Sequence, residues 1–452
     1  MKKVAWILGV VLGTVVLVPP AFARSLKTEL RDNLFGAKEG VGITVPNSRT
    51  GGNTVLLSAD PASRGFGLPI QTGGVGGISD LFTQALGREI LTESAVIPLP
   101  SGSAGFEYLY NPTLNVFERT SIGLGPIFNE RVNTLGTGGF AFGASYIRQE
   151  FDTFNGRDLS NLSIGKGLFR PKQSLGPFIS TGIVKATVNL GVTTNTTALW
   201  GTYGLTDWVD VSLLLPITVI SLRAKSTIEQ GSLNLLDNLP VFLADSQCDP
   251  TKRKCNIADF TVLRKGTRFA FPVDRVKGAK NGRLTNKVSK SKAGFGDMIL
   301  RSKARLLDSS WGNFGGLAEL TLPTGRESNF LGDDAVKARF LLLYSKSLFS
   351  NRLNFHLNGG GKVTTQTSNK NTLEYGSAVD FMVTPQLSLV GELIGSWRVD
   401  PEGLPRNFID GAFGFKVNPY KGLILNASFR IPATNDGLRS DLVYLGGVEY
   451  DF

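Results

Sequence analysis

The chain has one histidine, two cysteines and three methionines in 452 residues. A lone histidine, His356, cannot supply a multi-histidine metal site. Two cysteines cannot found a disulfide scaffold, although Cys248 and Cys255 in CDPTKRKC are close enough for one local disulfide in an oxidising compartment. Two unrelated thiols are the alternative. Neither Gly-x-Ser-x-Gly nor His-Glu-x-x-His occurs. GGGKVT at 359–364 displaces the hydroxyl residue of a phosphate loop, and no helix follows it. No catalytic residue, metal or cofactor is therefore assigned, and the chain is not expected to be an enzyme.

Long apolar runs are also missing. The run Val4–Val18 is 15 residues and VSLLLPITVISL at 211–222 is 12, with Pro216 inside it. Both fall short of the ~20 residues a spanning helix needs. With Lys2 and Lys3 before the first run and Ala21-Phe22-Ala23 after it, residues 1–23 read as a secretory signal. If the remaining chain enters a membrane, it must do so as a closed barrel, because only helices and barrels satisfy their own backbone in lipid.

The net charge is +11, but it is concentrated: residues 246–293 hold 13 Lys and Arg against 3 Asp and Glu. A nucleic-acid footprint would spread along a docking face, so no nucleic acid is expected. The insertion 223–294 reads instead as a long basic extracellular loop, with lipopolysaccharide phosphates as candidate partners.

From 138 onward the chain alternates apolar and polar residues in segments at 138–151, 184–205, 207–222, 295–307, 313–323, 337–349, 351–363, 373–384, 386–399, 408–418, 421–431 and 442–452. Short and long connections alternate between them. This predicts an all-β, transmembrane antiparallel β-barrel of 12 to 14 strands; GFEYLYNPTLNVFERT at 105–120 would supply the extra pair. Glycines on the apolar phase, and Trp208, Trp397, Tyr444 and Tyr450 near strand ends, place the apolar face toward lipid, in a Gram-negative outer membrane.

Charges then fall on the lumen phase. The candidates are Arg301, Lys303 and Arg305 on one strand, Glu319 on the next, then Arg339, Arg352, His356, Asp380, Glu392, Arg398 and Asp410. Such a wall can conduct polar solutes or pin a plug through charge-assisted hydrogen bonds. Residues 24–104 are the expected plug-like or periplasmic segment, with short helices at SLKTELRDNLFG, capped by Ser25, and at 79–91. The barrel is expected over 105–452. The closing residues Tyr450 and Phe452 lie on the lipid phase. The terminal aromatic resembles the signal by which the barrel assembly machinery recognises its clients.

Several stretches resemble a known family: GFEYLYNPTLNVFERTSIGLGPIFNERVNTLG, YGLTDWVDVSLLLPI, GFGDMILRSKARLL, AELTLPTGRESNFLG and LLLYSKSLFSNRLNFHLNGGGKV. Over 105–452 the chain is similar to the outer-membrane proteins of the phenol-degradation meta pathway, relatives of the long-chain fatty-acid transporters. The resemblance implies a monomeric barrel that admits small hydrophobic or aromatic solutes past an N-terminal obstruction. The Asn-Pro-Ala signature of the fatty-acid transporters is absent from 24–60, so no ligand contact is carried over. Passive transport of such compounds is the expected function; a general diffusion porin and a surface-exposed structural or binding barrel are the alternatives.

Overall fold

The computed structural model describes residues 25–34, 56–58, 107–111, 116–120, 123–169, 182–231, 283–349, 351–365, 371–398, 406–420 and 422–452. Twelve antiparallel strands close into one ring. In chain order they are β1 (Phe140–Phe151), β2 (Gly182–Thr206), β3 (Val209–Gly231), β4 (Met298–Ser309), β5 (Gly312–Leu322) and β6 (Lys337–Leu348). They continue as β7 (Leu353–Thr364), β8 (Thr372–Thr384), β9 (Leu387–Arg398), β10 (Arg406–Tyr420), β11 (Leu423–Pro432) and β12 (Val443–Asp451). Each strand pairs with its neighbours in sequence, and β12 returns to β1 from Val443 opposite Gln149 to Asp451 opposite Ala141. No edge of the ring is left unpaired.

Alternation sets the two faces. On β9, Leu389, Leu393 and Trp397 are exposed outside while Ser388, Glu392, Ser396 and Arg398 are buried inside. The same phase puts Phe340 and Leu342 of β6 and Phe413 and Phe415 of β10 on the exterior. An exposed apolar exterior around a buried polar interior is the membrane arrangement, since a one-residue slip would exchange the two faces. The segment Glu107–Asn111 pairs with Val116–Thr120 in a separate two-stranded sheet, so the expected hairpin adds nothing to the ring and the count is twelve.

At its long-loop end the wall continues past the ring. β1 pairs only with 192–203 of β2, and β4 only with 209–214 of β3. Beyond those points Leu162–Phe169 joins β2 and Arg283–Phe295 joins β3. The basic insertion expected as a loop over 223–294 is therefore strand at both ends; Cys248 and Cys255 lie outside the described residues. Threonines stiffen the long β2 and β3 ladder, with Thr196 and Thr218 hydroxyls 2.9 Å apart and Thr202 and Ser212 equally close.

Of 24–104, the expected plug-like segment, only 25–34 and 56–58 are described, and the helix expected over 79–91 lies outside them. Helix α1 (Leu26–Leu34) has the expected cap, with Thr28 N–H donating to Ser25 Oγ at 3.2 Å. Leu26 and Leu30 are fully buried. The helix docks at the long-loop end, where Leu26 N–H donates to Asn329 Oδ1 at 3.2 Å and Lys27 pairs with Glu327. At the short-turn end, Phe452 N–H donates to Phe140 O at 2.9 Å, and its ring lies 5.8 Å from that of Phe140, 5.9 Å from Phe142 and 4.8 Å from Tyr450.

Candidate functional site

Residues 123–136, immediately before β1, have no regular structure and lie inside the barrel, with Gly123 to Ile127 and Asn129 to Thr134 all buried. Unpaired backbone cannot be left buried without partners. Here the wall supplies them. Leu124 N–H donates to Ser388 Oγ at 3.1 Å and Val132 N–H to Ser345 Oγ at 3.1 Å. Glu130 N–H donates to Asn358 Oδ1 at 2.7 Å, and Asn358 Nδ2 returns a bond to Glu130 O at 2.9 Å. Both limbs of this arch reach the short-turn end. Lys416 Nζ donates to Leu124 O at 3.2 Å on one side; on the other, Thr134 Oγ1 donates to Asp207 O at 2.8 Å and Leu135 N–H to both Asp210 oxygens at 3.1 Å.

Glu392 holds the middle of the arch. Its carboxylate accepts the backbone N–H groups of Ile127 at 2.6 Å, Phe128 at 3.0 Å and Asn129 at 2.7 Å, and Asn129 Nδ2 at 2.9 Å. Successive N–H groups converging on one anion form a backbone nest. The wall makes room for it with inward glycines: a Cβ on Gly414 would lie 2.6 Å from Ile127 Cδ1, and one on Gly376 would overlap the Asn129 side chain.

A chain of alternating charges runs from the arch along the wall. Glu130 Oε1 accepts from Arg301 Nη1 at 2.8 Å, Arg301 Nη2 reaches Glu319 at 2.9 Å, and Arg339 Nη1 reaches the same Glu319 oxygen at 3.5 Å. Arg339 Nε and Lys362 Nζ then meet Glu374 at 2.5 and 3.2 Å. Arg301, Glu319, Arg339 and Lys362 are direct cross-strand partners on four consecutive strands. Glu374 offsets the adjacent like charges of Arg339 and Lys362.

Below the arch, Ser345 Oγ and His356 Nδ1 are 2.8 Å apart, His356 Nε2 and Asp380 Oδ1 are 2.9 Å apart, and Asn354 Nδ2 donates to Asp380 Oδ2 at 2.8 Å. This is the order of groups in a hydrolytic triad. Its hydroxyl, however, is occupied by Val132 N–H, faces the lumen and is buried. The array completes the hydrogen bonding of the arch, with Ser345 Oγ accepting from Val132 N–H.

Above the arch, Phe408 lies beneath two guanidiniums, Arg398 at 5.5 Å and Arg439 at 5.4 Å. Asp410 pairs with Arg430 at 3.5 Å and with Arg439. Between Phe128 and Glu130 of the arch and Phe330 to Asp333 of the loop 323–336 lies a cavity of about 160 Å³. Arg301, Glu319, Arg339 and Asp410 line it, together with the apolar Ile299, Leu341, Ile394 and Phe408.

The candidate residues thus divide by position. Arg301, Glu319, Arg339 and Asp410 meet at the cavity, Arg398 sits over Phe408 just beyond it, and Glu392, His356 and Asp380 contact the arch or its support. Lys303 is buried lower in the lumen. Arg305 is half-buried near the short-turn end, with Nη2 donating to Asp207 O at 3.0 Å. Arg352 is a correction: β7 starts one residue later, and Arg352 is exposed in the turn after Phe349 and Asn351, both at positive φ. Sequence phase missed the arch itself, which has no period. It also passed over Glu374 and Asp210, although both lie on the lumen phase of their strands.

The family model described as the putative MetA-pathway of phenol degradation matches residues 168–438. No curated protein matches the sequence. Among solved structures, an outer-membrane channel of Pseudomonas putida F1 is similar at 14% identity and TM-score 0.40, over 71% of this chain and 98% of that one. A toluene transporter of Ralstonia pickettii is similar at 10% identity and TM-score 0.29, over 70% and 90%. A FadL homologue of Pseudomonas aeruginosa is similar at 11% and 0.31, also over 70% and 90%. At such identities and scores, none of these likenesses speaks to what passes through the barrel.

Proposed function

Because this outer-membrane barrel belongs to the family described as the putative MetA-pathway of phenol degradation, we propose that it is a passive channel for small hydrophobic or aromatic compounds, closed at rest by residues 123–136. The observation that carries this reading is the cavity of about 160 Å³ between Phe128 and Phe330. By volume alone, roughly 150 Å³ is enough to hold one benzene ring, and this cavity offers it a lining part charged and part apolar. Phe408, Ile394 and Leu341 offer apolar contact to such a ring, and the Arg301 and Arg339 guanidiniums offer donors to a hydroxyl on it. A solute resting there stands on the arch, so passage requires the arch to shift. Nothing in the proposed cycle uses an energy source or a cofactor.

Two measurements test this together. In planar bilayers the purified protein is expected to stay closed, with brief small openings, while expressing cells take up phenol faster than cells with an empty vector. Large, steady conductance would favour an open diffusion porin. Closed bilayers without faster uptake would favour a structural or binding barrel.

A further inference from the structure

Beyond the ring, the outward faces of β3 and Arg283–Phe295 change in an ordered way. Ile217 lies opposite Phe295, Val219 opposite Ala293 and Ser221 opposite Ser291, whose hydroxyls are 3.0 Å apart. Next come Arg223 opposite Ser289 and Lys225 opposite Lys287, all four exposed. The face thus passes from apolar to hydroxyl to cationic along one pair of strands.

Like charges directly opposite in a ladder repel, so the Lys225 and Lys287 pair is unfavourable without an anion. Among the described residues, no carboxylate pairs with Arg223, Lys225 or Lys287. The neighbouring strands offer Glu150, opposite Thr193, which in turn lies opposite Ser221, and Glu150 is already bonded to Arg148 at 3.5 Å. The inner face differs, because there Lys290 has Glu29 of α1 at 3.9 Å. Arg223 lies four residues beyond Val219, about 13 Å along a strand and about 9 Å along the membrane normal at a tilt near 45°. That is the depth of the headgroup layer. The long-loop end of such barrels faces outside the cell, so the headgroups at this height are those of the outer leaflet.

We propose that Arg223, Lys225 and Lys287 form an outward binding site for the phosphate groups of lipopolysaccharide, with the acyl chains lying against Ile217 and Phe295 below. Alternate residues are about 7 Å apart along a strand and adjacent strands about 5 Å apart, so three cations converge on one phosphate-sized space. The guanidinium supplies a two-pronged donor and the ammonium groups supply charge.

The test is native mass spectrometry of the full-length protein after detergent exchange and incubation with bis-phosphorylated lipid A. Three proteins are compared: the wild type, R223S/K225S/K287S, and K252S/R253S/K254S from the insertion. Wild type and the insertion variant are expected to retain the glycolipid, and the strand variant to retain at least ten-fold less at unchanged heat-modifiability. Enzymatically dephosphorylated lipid A is expected to be lost from all three, and excess inorganic phosphate to displace none. If the triple strand variant misfolds, K287S alone replaces it, with a several-fold loss expected. Equal retention by the strand variant, loss confined to the insertion variant, or equally firm retention of phosphatidylglycerol would each overturn the proposal.

Discussion

Both carboxylate oxygens of Glu392, on β9, lie 3.0 Å from the backbone nitrogen of Phe128, in the arch inside the barrel. A wall residue therefore holds the arch by the arch's main chain. The side chains of the arch are less important to this contact than the path its backbone takes.

Replacing Glu392 with alanine leaves the N–H groups of Ile127, Phe128 and Asn129 without their acceptor. Losing bonds to a charged group costs about 1.5 to 3 kcal/mol each, part of it regained from water that enters. A net loss near 3 kcal/mol corresponds to roughly a hundred-fold shift toward an open arch. Single-channel recordings should show long openings in Glu392→Ala and intermediate behaviour in Glu392→Gln, which keeps one acceptor. Traces matching wild type would remove Glu392 from its assigned role.

Arg301 joins the arch to the wall charges through Glu130 and Glu319. Arg301→Met takes from Glu130 its ion pair at 2.8 Å and from Glu319 its ion pair at 2.9 Å, and leaves Glu319 with Arg339 at 3.5 Å; breaking a buried pair in this way costs up to about 3 to 5 kcal/mol. The folded band on an unboiled gel should convert at a clearly lower temperature. The double variant Arg301→Met/Glu319→Leu should recover part of the loss. A double variant as weak as the sum of the two single ones would mean that the pair is not coupled.

Phe452 contributes one backbone bond to Phe140 and ring contacts to Phe140, Phe142 and Tyr450. Aromatic pairs add about 0.5 to 1.5 kcal/mol each beyond area burial. Deleting Phe452 should lower both the yield of heat-modifiable barrel in membranes and its conversion temperature. Full assembly after the deletion would refute this.

Acid should loosen the foot of the arch. Thr137 donates its hydroxyl and its N–H to Asp207 Oδ1, at 2.7 and 3.0 Å, and these bonds hold the Asp207 carboxyl below its ordinary range. A depressed folded-state pKa contributes stability that is complete above the ordinary aspartate value, near 4, and fades as pH falls through the lower folded value. Protease protection of residues 123–139 should therefore drop below about pH 4 in wild type. In Asp207→Asn that acid step should disappear; an identical pH profile in both proteins would contradict the assignment.

The wall was legible because period two fixes which side of a strand faces lipid, and the strands keep that phase except at irregularities such as those at Arg305–Leu307, Met382–Thr384 and Val417–Tyr420. Arg352 shows where that reasoning stops: the phase can be extended past the end of a strand into a turn that breaks it. The ladder beyond the ring was hidden for another reason. RLTNKVSKSKAGF has the composition of a solvated loop, and it is a strand because β3 supplies partners from Ile217 to Glu229. The arch was the least legible element. Glu392 could be placed in the lumen from its phase, but its partners are main-chain groups, which every residue carries.

Eleven of the twelve strand pairings join consecutive strands of the ring, most of them short hairpins although β3 with β4 spans about 90 positions, and the twelfth, β12 with β1, joins residues about 300 positions apart. Local hairpins form at little entropic cost, whereas a contact of such range must close the whole chain first. The wall behaves like a zip with one slider. Rupture under force, denaturant or heat should begin at this seam, and the arch, attached directly to the N-terminal side of β1, would be drawn out of the lumen with the strand that leaves.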